Sequence, residues 1–185
     1  MDAGKRETMI IKGILRPILA ALRDMHRVGI VHRDIKPANL IVTYEGTPPV
    51  KLIDLGAALV VPQEVPRAPP RFVALLLSPA LWQLTSPDRF DTYSAGIMLM
   101  QMSIPELRTG KALDTFKSQL YNTGEDLIRW KEEFGSQYDL SLLERNGGAG
   151  WDLATKLVRP RNFFQRGRFS AREAMGHRYF WPEII

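Results

Sequence analysis

His32-Arg33-Asp34-Ile35-Lys36-Pro37-Ala38-Asn39, followed downstream by Asp54-Leu55-Gly56, decides how this chain is read. One short run sets out a carboxylate (Asp34), a flexible cation two residues on (Lys36) and a neutral amide (Asn39). A second carboxylate, Asp54, comes after two β-branched stretches. Phosphoryl transfer asks for this set. A hydroxyl must be oriented, phosphates and a metal must be held, and developing charge must be offset. Asp34 can accept the hydrogen bond of a hydroxyl, and the Lys36 ammonium can reach a transferring phosphate. The Asn39 side-chain oxygen and the Asp54 carboxylate are hard ligands suited to Mg²⁺. Gly56 lets the chain turn away sharply. Taken singly, Asp34 reads as a turn residue, Asn39 as a loop cap and Lys36 as a solvated charge. The spacing of the whole set carries the functional reading.

Upstream, Ile11, Ile14, Leu15, Ile18, Leu22 and Met25 recur at helical spacing and predict a helix over about 7–27. Pro17 inside it removes a backbone donor and predicts a kink, and Gly29 closes it. Leu40–Thr43 and Val50–Ile53, separated by the turn-rich 45–49, predict a small hairpin. Four prolines within 62–71 exclude regular helix there. A helix over about 91–102 is apolar nearly all round, which predicts burial. Weaker helices are expected near 111–121, 124–134, 150–157 and 170–176, with Gly147-Gly148-Ala149-Gly150 as a structural turn before the third of these. Strands do not alternate with helices, which argues against a doubly wound sheet.

With 185 residues, 45% hydrophobic and 24% charged, the chain has globular composition and length for one compact domain. There is no cysteine, hence no disulfide framework and no thiolate metal site. His26, His32 and His177 have no metal-ligand spacing. The net charge is +5, with arginines gathered late at 159, 161, 166, 168, 172 and 178. These read as a solvated face with one or two ion pairs. No nucleic-acid-binding signature accompanies them, so no nucleic-acid partner is expected. No apolar run approaches the ~20 residues of a membrane span. The first residues carry no targeting signal, and membrane association is not encoded in this chain.

The motif resembles the protein-kinase catalytic loop, His-Arg-Asp-x-x-x-x-Asn, with Asp-Leu-Gly at the Asp-Phe-Gly position. The resemblance extends over essentially the whole chain as a kinase C-terminal lobe. It implies a mainly α fold with a small β-hairpin beside the catalytic loop. Asp34 and Lys36 are then catalytic, Asn39 and Asp54 hold Mg²⁺, and Lys36, Asn39, Ile41 and Asp54 bind ATP, with Ile41 flooring the adenine pocket. His32, Arg33, Gly56, Asp91 and Arg168 are structural supports. Asp91-Thr92-Tyr93-Ser94-Ala95-Gly96 is similar to the Asp-x-Trp-Ser-x-Gly helix start, whose aspartate anchors the catalytic-loop backbone. Arg168-Phe169-Ser170-Ala171 and His177-Arg178-Tyr179-Phe180 resemble the closing motifs of the domain. Lys36-Pro37 after Asp34 is similar to serine/threonine kinases. Ser78–Leu84, Pro87–Asp91, Met100–Arg108 and Gly148–Leu153 resemble the chloroplast thylakoid kinases of plants and algae. That implies protein substrates among photosystem II core or light-harvesting proteins. Tyr138–Arg145 and Phe180–Glu183 lean toward the photosystem II branch.

The chain also departs from that pattern. It contains no glycine-rich phosphate loop, no Val-Ala-x-Lys lysine and no partner glutamate for that lysine. Residues 1–185 are therefore expected to form a single partial kinase domain with the N-terminal lobe absent. Residues 57–88 are expected to form a shortened activation segment with a proline-rich insertion. The Ala-Pro-Glu motif is missing; Ser78-Pro79-Ala80 lacks the glutamate. Arg168, which pairs with that glutamate in kinases, has to find another partner or solvent. Negligible turnover is expected of these residues alone. The alternative is a catalytically inactive kinase-like fragment acting as a protein-interaction module.

Overall fold

The computed structural model describes residues 3–43, 50–61, 86–159 and 167–181. The 45–49 turn, the proline-rich 62–71, the segment 78–84 and Arg161 and Arg166 lie outside them. Helix α1 (Ala3–Arg27) starts earlier than its apolar periodicity and runs on through Pro17. Its buried stripe is Ile11, Leu15, Ile18, Leu19 and Leu22, the spacing of one helical face. The chain leaves α1 through Gly29 at φ 79°, whose N–H donates to the His26 carbonyl at 3.1 Å.

Two small antiparallel ladders follow. Strand β2 (Leu40–Val42) pairs with β3 (Val50–Leu52), Leu40 opposite Leu52 and Val42 opposite Val50. This is the expected hairpin. The other ladder, β1 (Ile30–Val31) with β4 (Leu59–Val60), was not expected. Two residues per strand are too few to show alternation, so the pairing leaves no periodic mark in the sequence.

Helix α2 (Asp88–Ser103) is the centre of the lobe. Ala95, Gly96, Ile97, Met98, Leu99 and Met100 are all buried, so it lacks a solvent stripe. It packs on α1 and on α5 (Ser141–Val158). The contact with α5 is close: a Cβ on Gly96 would lie 2.7 Å from Val158 Cγ2 and 2.8 Å from Leu157 Cβ. Only glycine lets the two helices approach this far.

Helices α3 (Gly110–Asn122), α4 (Leu127–Phe134) and α6 (Ala171–Met175) complete the lobe. Each start is capped by a side chain: Thr109 for α3, Asp126 for α4, and a reciprocal Ser170–Glu173 capping box for α6. The glycine turn before the 150s is shifted relative to expectation. The non-helical residues are 145–148, with Asn146, Gly147 and Gly148 at φ 52°, 61° and 72°, while Ala149 and Gly150 already belong to the helix. Trp130, fully buried, meets Phe116 edge-on at 4.9 Å and Tyr138 at 5.1 Å. Gln119 Oε1 accepts from both the Trp130 indole and the Tyr138 hydroxyl, each at 3.1 Å, which satisfies the polar edges of the cluster.

Candidate functional site

The motif occupies the loop between β1 and β2, at the end of α1 and over the first turn of α2. Asp91 fixes it from below. Its carboxylate is fully buried and accepts the His32 N–H at 2.8 Å and the Arg33 N–H at 2.7 Å. A third donor, His26 Nε2, reaches the same carboxylate at 2.8 Å. Sequence reasoning identified Asp91 but missed His26, whose place at the end of α1 becomes legible only once α1 and α2 are packed. Held this way, Arg33 adopts φ 67°, a left-handed backbone that costs a non-glycine residue energy and is retained only where surroundings enforce it. Its side chain crosses to donate from Nε to the Ala57 carbonyl at 2.7 Å, which fastens the chain just after Gly56.

His32 is buried and ties the two carboxylate-bearing segments together. Its Nδ1 accepts the Asp34 N–H at 3.3 Å, and its Nε2 lies 3.1 Å from the Ile53 carbonyl. With Nδ1 used as an acceptor, the proton sits on Nε2 and is donated to Ile53. Asp34 is thus oriented through its own amide, and Asp54 through the carbonyl that precedes it.

Around Asp34 the side chains converge. Lys36 Nζ donates to Asp34 Oδ2 at 2.7 Å, and Asn39 Nδ2 donates to the same oxygen at 2.9 Å and to the Asp34 carbonyl at 2.8 Å. The Lys36 bond, then the Asn39 bond, holds the Asp34 carboxyl below the ordinary aspartate range. Because Nδ2 is spent on Asp34, the oxygen of the Asn39 amide is its atom left to serve as a ligand. The hairpin brings Asp54 to this place, since Ile53 N–H donates to the Asn39 carbonyl at 2.9 Å and continues the β2–β3 register. Asp54 itself has φ 65°, and its Oδ1 accepts the Gly56 N–H at 3.1 Å.

The donors that the loop and the hairpin end offer are one amide oxygen and the Asp54 carboxylate. They fit Mg²⁺, which takes one or two carboxylates and completes its shell with water and nucleotide phosphates. Among the described residues there is no cluster of three His, Cys, Asp or Glu side chains that could hold a metal. Ile41 lies on the hairpin, 46% exposed, with Ile53 at 38% and Leu55 at 59% beside the carboxylates. A cavity of about 540 Å³ lies elsewhere, among Asp152, Lys156, Arg172 and His177.

Among the described late arginines, Arg168 and Arg178 form ion pairs. Arg168 Nη2 donates to Glu125 Oε2 at 2.6 Å, so the partner it needed lies at the turn between α3 and α4. Arg178 Nε lies 3.5 Å from Asp152 Oδ2, and its Nη2 donates to the Gly147 carbonyl at 3.0 Å. Arg172 is exposed. Among the described residues no helix is long and apolar enough to cross a membrane.

A helical lobe carrying this loop and hairpin belongs to the protein kinase domain family, whose description matches residues 3–180. Two curated relatives narrow the comparison. The chain is 45% identical to serine/threonine-protein kinase STN8, chloroplastic, of Arabidopsis thaliana, covering 97% of this chain and 41% of that protein. It is 39% identical to serine/threonine-protein kinase STN7, chloroplastic, of the same plant, covering 95% and 36%. It therefore spans about two fifths of the relatives' length. Among solved structures, a Stt7 homolog from Micromonas algae, soaked with ATP, superposes with a TM-score of 0.77 at 33% identity. The match covers 95% of this chain and 58% of that one.

Proposed function

We propose that this chain is the catalytic-loop portion of a serine/threonine protein kinase that transfers the ATP γ-phosphoryl group to protein hydroxyls. The observation that carries the reading is the convergence of Lys36 and Asn39 on a single oxygen of Asp34. Asp34 accepts the hydrogen bond of the substrate hydroxyl and aligns it. Its lowered pKa makes it a weak base, so its contribution is alignment more than ground-state proton removal. Lys36, on its flexible stem, leaves Asp34 to offset charge on the phosphoryl group in flight. Asn39 and Asp54 hold Mg²⁺, and Ile41 floors the adenine. The bound Mg²⁺–ATP supplies the phosphoryl group and offsets the charge on its phosphate oxygens. Asp91 and His32 keep these groups in register.

The chloroplast relatives support a place for the chain at the thylakoid, with photosystem II core or light-harvesting proteins as substrates. Identity to STN8 exceeds that to STN7, which favours the core-protein branch. Turnover by the 185 residues alone is negligible in this reading, because nothing in the sequence supplies a glycine-rich loop or a β-strand lysine over the phosphates. One observation favours a second reading, a non-catalytic interaction module. Ile41, Val42, Leu55, Leu59 and Val60 are exposed together around the two ladders, where a partner protein could cover them.

The test is phosphorylation of a thylakoid protein extract with Mg²⁺–ATP by two proteins. One is this chain. The other is this chain joined behind the preceding kinase segment of Arabidopsis STN8. The expected result is no transfer by the chain and transfer by the fusion, reduced by roughly three orders of magnitude in Asp34→Ala, the scale of a positioned catalytic group. A fusion that folds, binds ATP and transfers nothing would reject the enzyme in favour of the interaction module.

A further inference from the structure

Helix α3 ends in a left-handed turn. Gly124 N–H donates to the Tyr121 carbonyl at 3.0 Å and Glu125 N–H to the Leu120 carbonyl at 2.8 Å. Such a terminus places one residue in left-handed backbone, and glycine accepts that role without penalty. Here Gly124 at φ 72° fills it. The following residue, Glu125, is left-handed too, at φ 59°. A glutamate is a poor choice for that backbone on its own account, so its side chain is the reason to look for.

That side chain ends on Arg168, whose guanidinium is held at Nε, at Nη2 and on one face. Nη2 donates to Glu125 Oε2 at 2.6 Å, and Nε donates to the Val158 carbonyl at the end of α5 at 3.1 Å. Its face lies 4.3 Å from the centre of the Tyr93 ring. A planar fork can use its edges for a carboxylate and a carbonyl while its face stacks on an aromatic ring; an ammonium cannot. Tyr93 is two residues from Asp91 in the first turns of α2. Burial, then the Glu125 charge, pushes its phenol up to about 12.

We propose that Glu125 is a positioning residue for the catalytic loop. It sets Arg168 against Tyr93 and thereby holds the turn of α2 from which Asp91 grips the His32 and Arg33 amides. The carboxylate on the α3–α4 turn, far from Asp34 in sequence, is the outer end of a continuous brace: Glu125, Arg168, Tyr93, Asp91, then Arg33 beside Asp34. Its relevance to catalysis rests on the role proposed for Asp34, but the brace is measurable without any turnover, so the two readings fail separately.

The discriminating variant is Glu125→Gly in the full 185-residue chain. Glycine relieves the left-handed backbone and removes the carboxylate. A purely local turn residue would therefore leave the fold as stable as before or more so. Amide hydrogen exchange followed by NMR gives the readout. The expected result is exchange at His32 and Arg33 faster by roughly tenfold, with Phe116 and Leu120 in α3 unchanged, a local opening and not a global one. The Tyr93 phenol should also titrate at lower pH than in the parent. Arg168→Lys, which keeps the charge and loses the fork, should loosen the same two amides and serves if the glycine variant does not fold. Loop amides changed by less than about threefold, within ordinary local variation, would overturn the proposal. So would uniform acceleration that includes α3, or an unshifted Tyr93.

Discussion

Asp91→Ala removes the acceptor under the catalytic loop, and its cost can be worked from the bonds it breaks. The carboxylate is fully buried and takes three N–H donors, from His26, His32 and Arg33. Hydrogen bonds to a charged group contribute about 1.5–3 kcal/mol each, and a buried donor left unpaired costs about 1–3 kcal/mol. The His32 amide is the buried one; the Arg33 amide and the His26 ring are nearer water and recover part of their loss. Release of Arg33 from its left-handed backbone offsets about 1–2 kcal/mol. The net expectation is a loss of about 3–5 kcal/mol, a large share of the roughly 5–15 kcal/mol that holds a domain folded. Asp91→Asn keeps one oxygen but turns an NH₂ toward a donor, and should lose about 2–3 kcal/mol. Urea unfolding followed by tryptophan fluorescence measures both, since Trp130 sits fully buried among the helices. An Asp91→Ala protein within about 1 kcal/mol of the parent, at unchanged denaturant slope, would refute the three-bond account.

Gly96→Ala forces a methyl against Val158 and Leu157 at under 3 Å and should destabilise by about 1–3 kcal/mol as overpacking, read as a lowered thermal midpoint. His177 has a pKa below the ordinary histidine value, from burial first and then from Lys156 and Arg178, which outweigh the opposing pull of Asp152. The unfolded chain therefore binds that proton more readily. Stability contributed by neutral His177 is present above about pH 6.5 and is lost as pH falls from there through the folded value. His177→Asn, which can still cap the Tyr179 N–H now held at 3.2 Å, should flatten that interval. Asp152 is also lowered: burial acts to raise it, but the Lys156 and His177 bonds outweigh that. Its contribution is lost only at lower pH, so the acid loss below about pH 4 should persist in the variant. Lys36→Met removes the main cause of the lowered Asp34 pKa. The Asp34 carboxyl should then titrate higher than in the parent in a carbon-detected NMR titration, and no change would mean that the Lys36 contact is not maintained in solution.

The helical lobe, its hairpin and the order of residues in the candidate loop were legible in the sequence. Asp34, Lys36 and Asn39 are close in the chain and meet through hydrogen bonds, and the expected hairpin sets Ile53, just before Asp54, on the Asn39 carbonyl. Asp91 was legible through a motif at its own position. His26 and Glu125 were not, because each acts across a packing contact: His26 through the approach of α1 to α2, Glu125 through an arginine distant in sequence. Helix α2 was read correctly as buried because its apolar residues go all the way round. The β1–β4 ladder was missed because pairing this short is imposed by tertiary structure and leaves no alternation. The turn before Ala149 was read from glycines alone, whereas Asn146 shares the left-handed run; asparagine tolerates that backbone for its own local reasons.

The Arg33–Ala57 bond and the β1–β4 ladder hold the chain up to Val61, whose N–H reaches the Gly29 carbonyl at 2.7 Å. On the far side, Asp91 grips the same catalytic loop from the start of α2. The stretch between Val61 and Ser86 therefore joins two anchorages that are fastened independently to one short loop. The loop that carries Asp34 is thus gripped from two sides, and a change at one anchorage leaves the other in place.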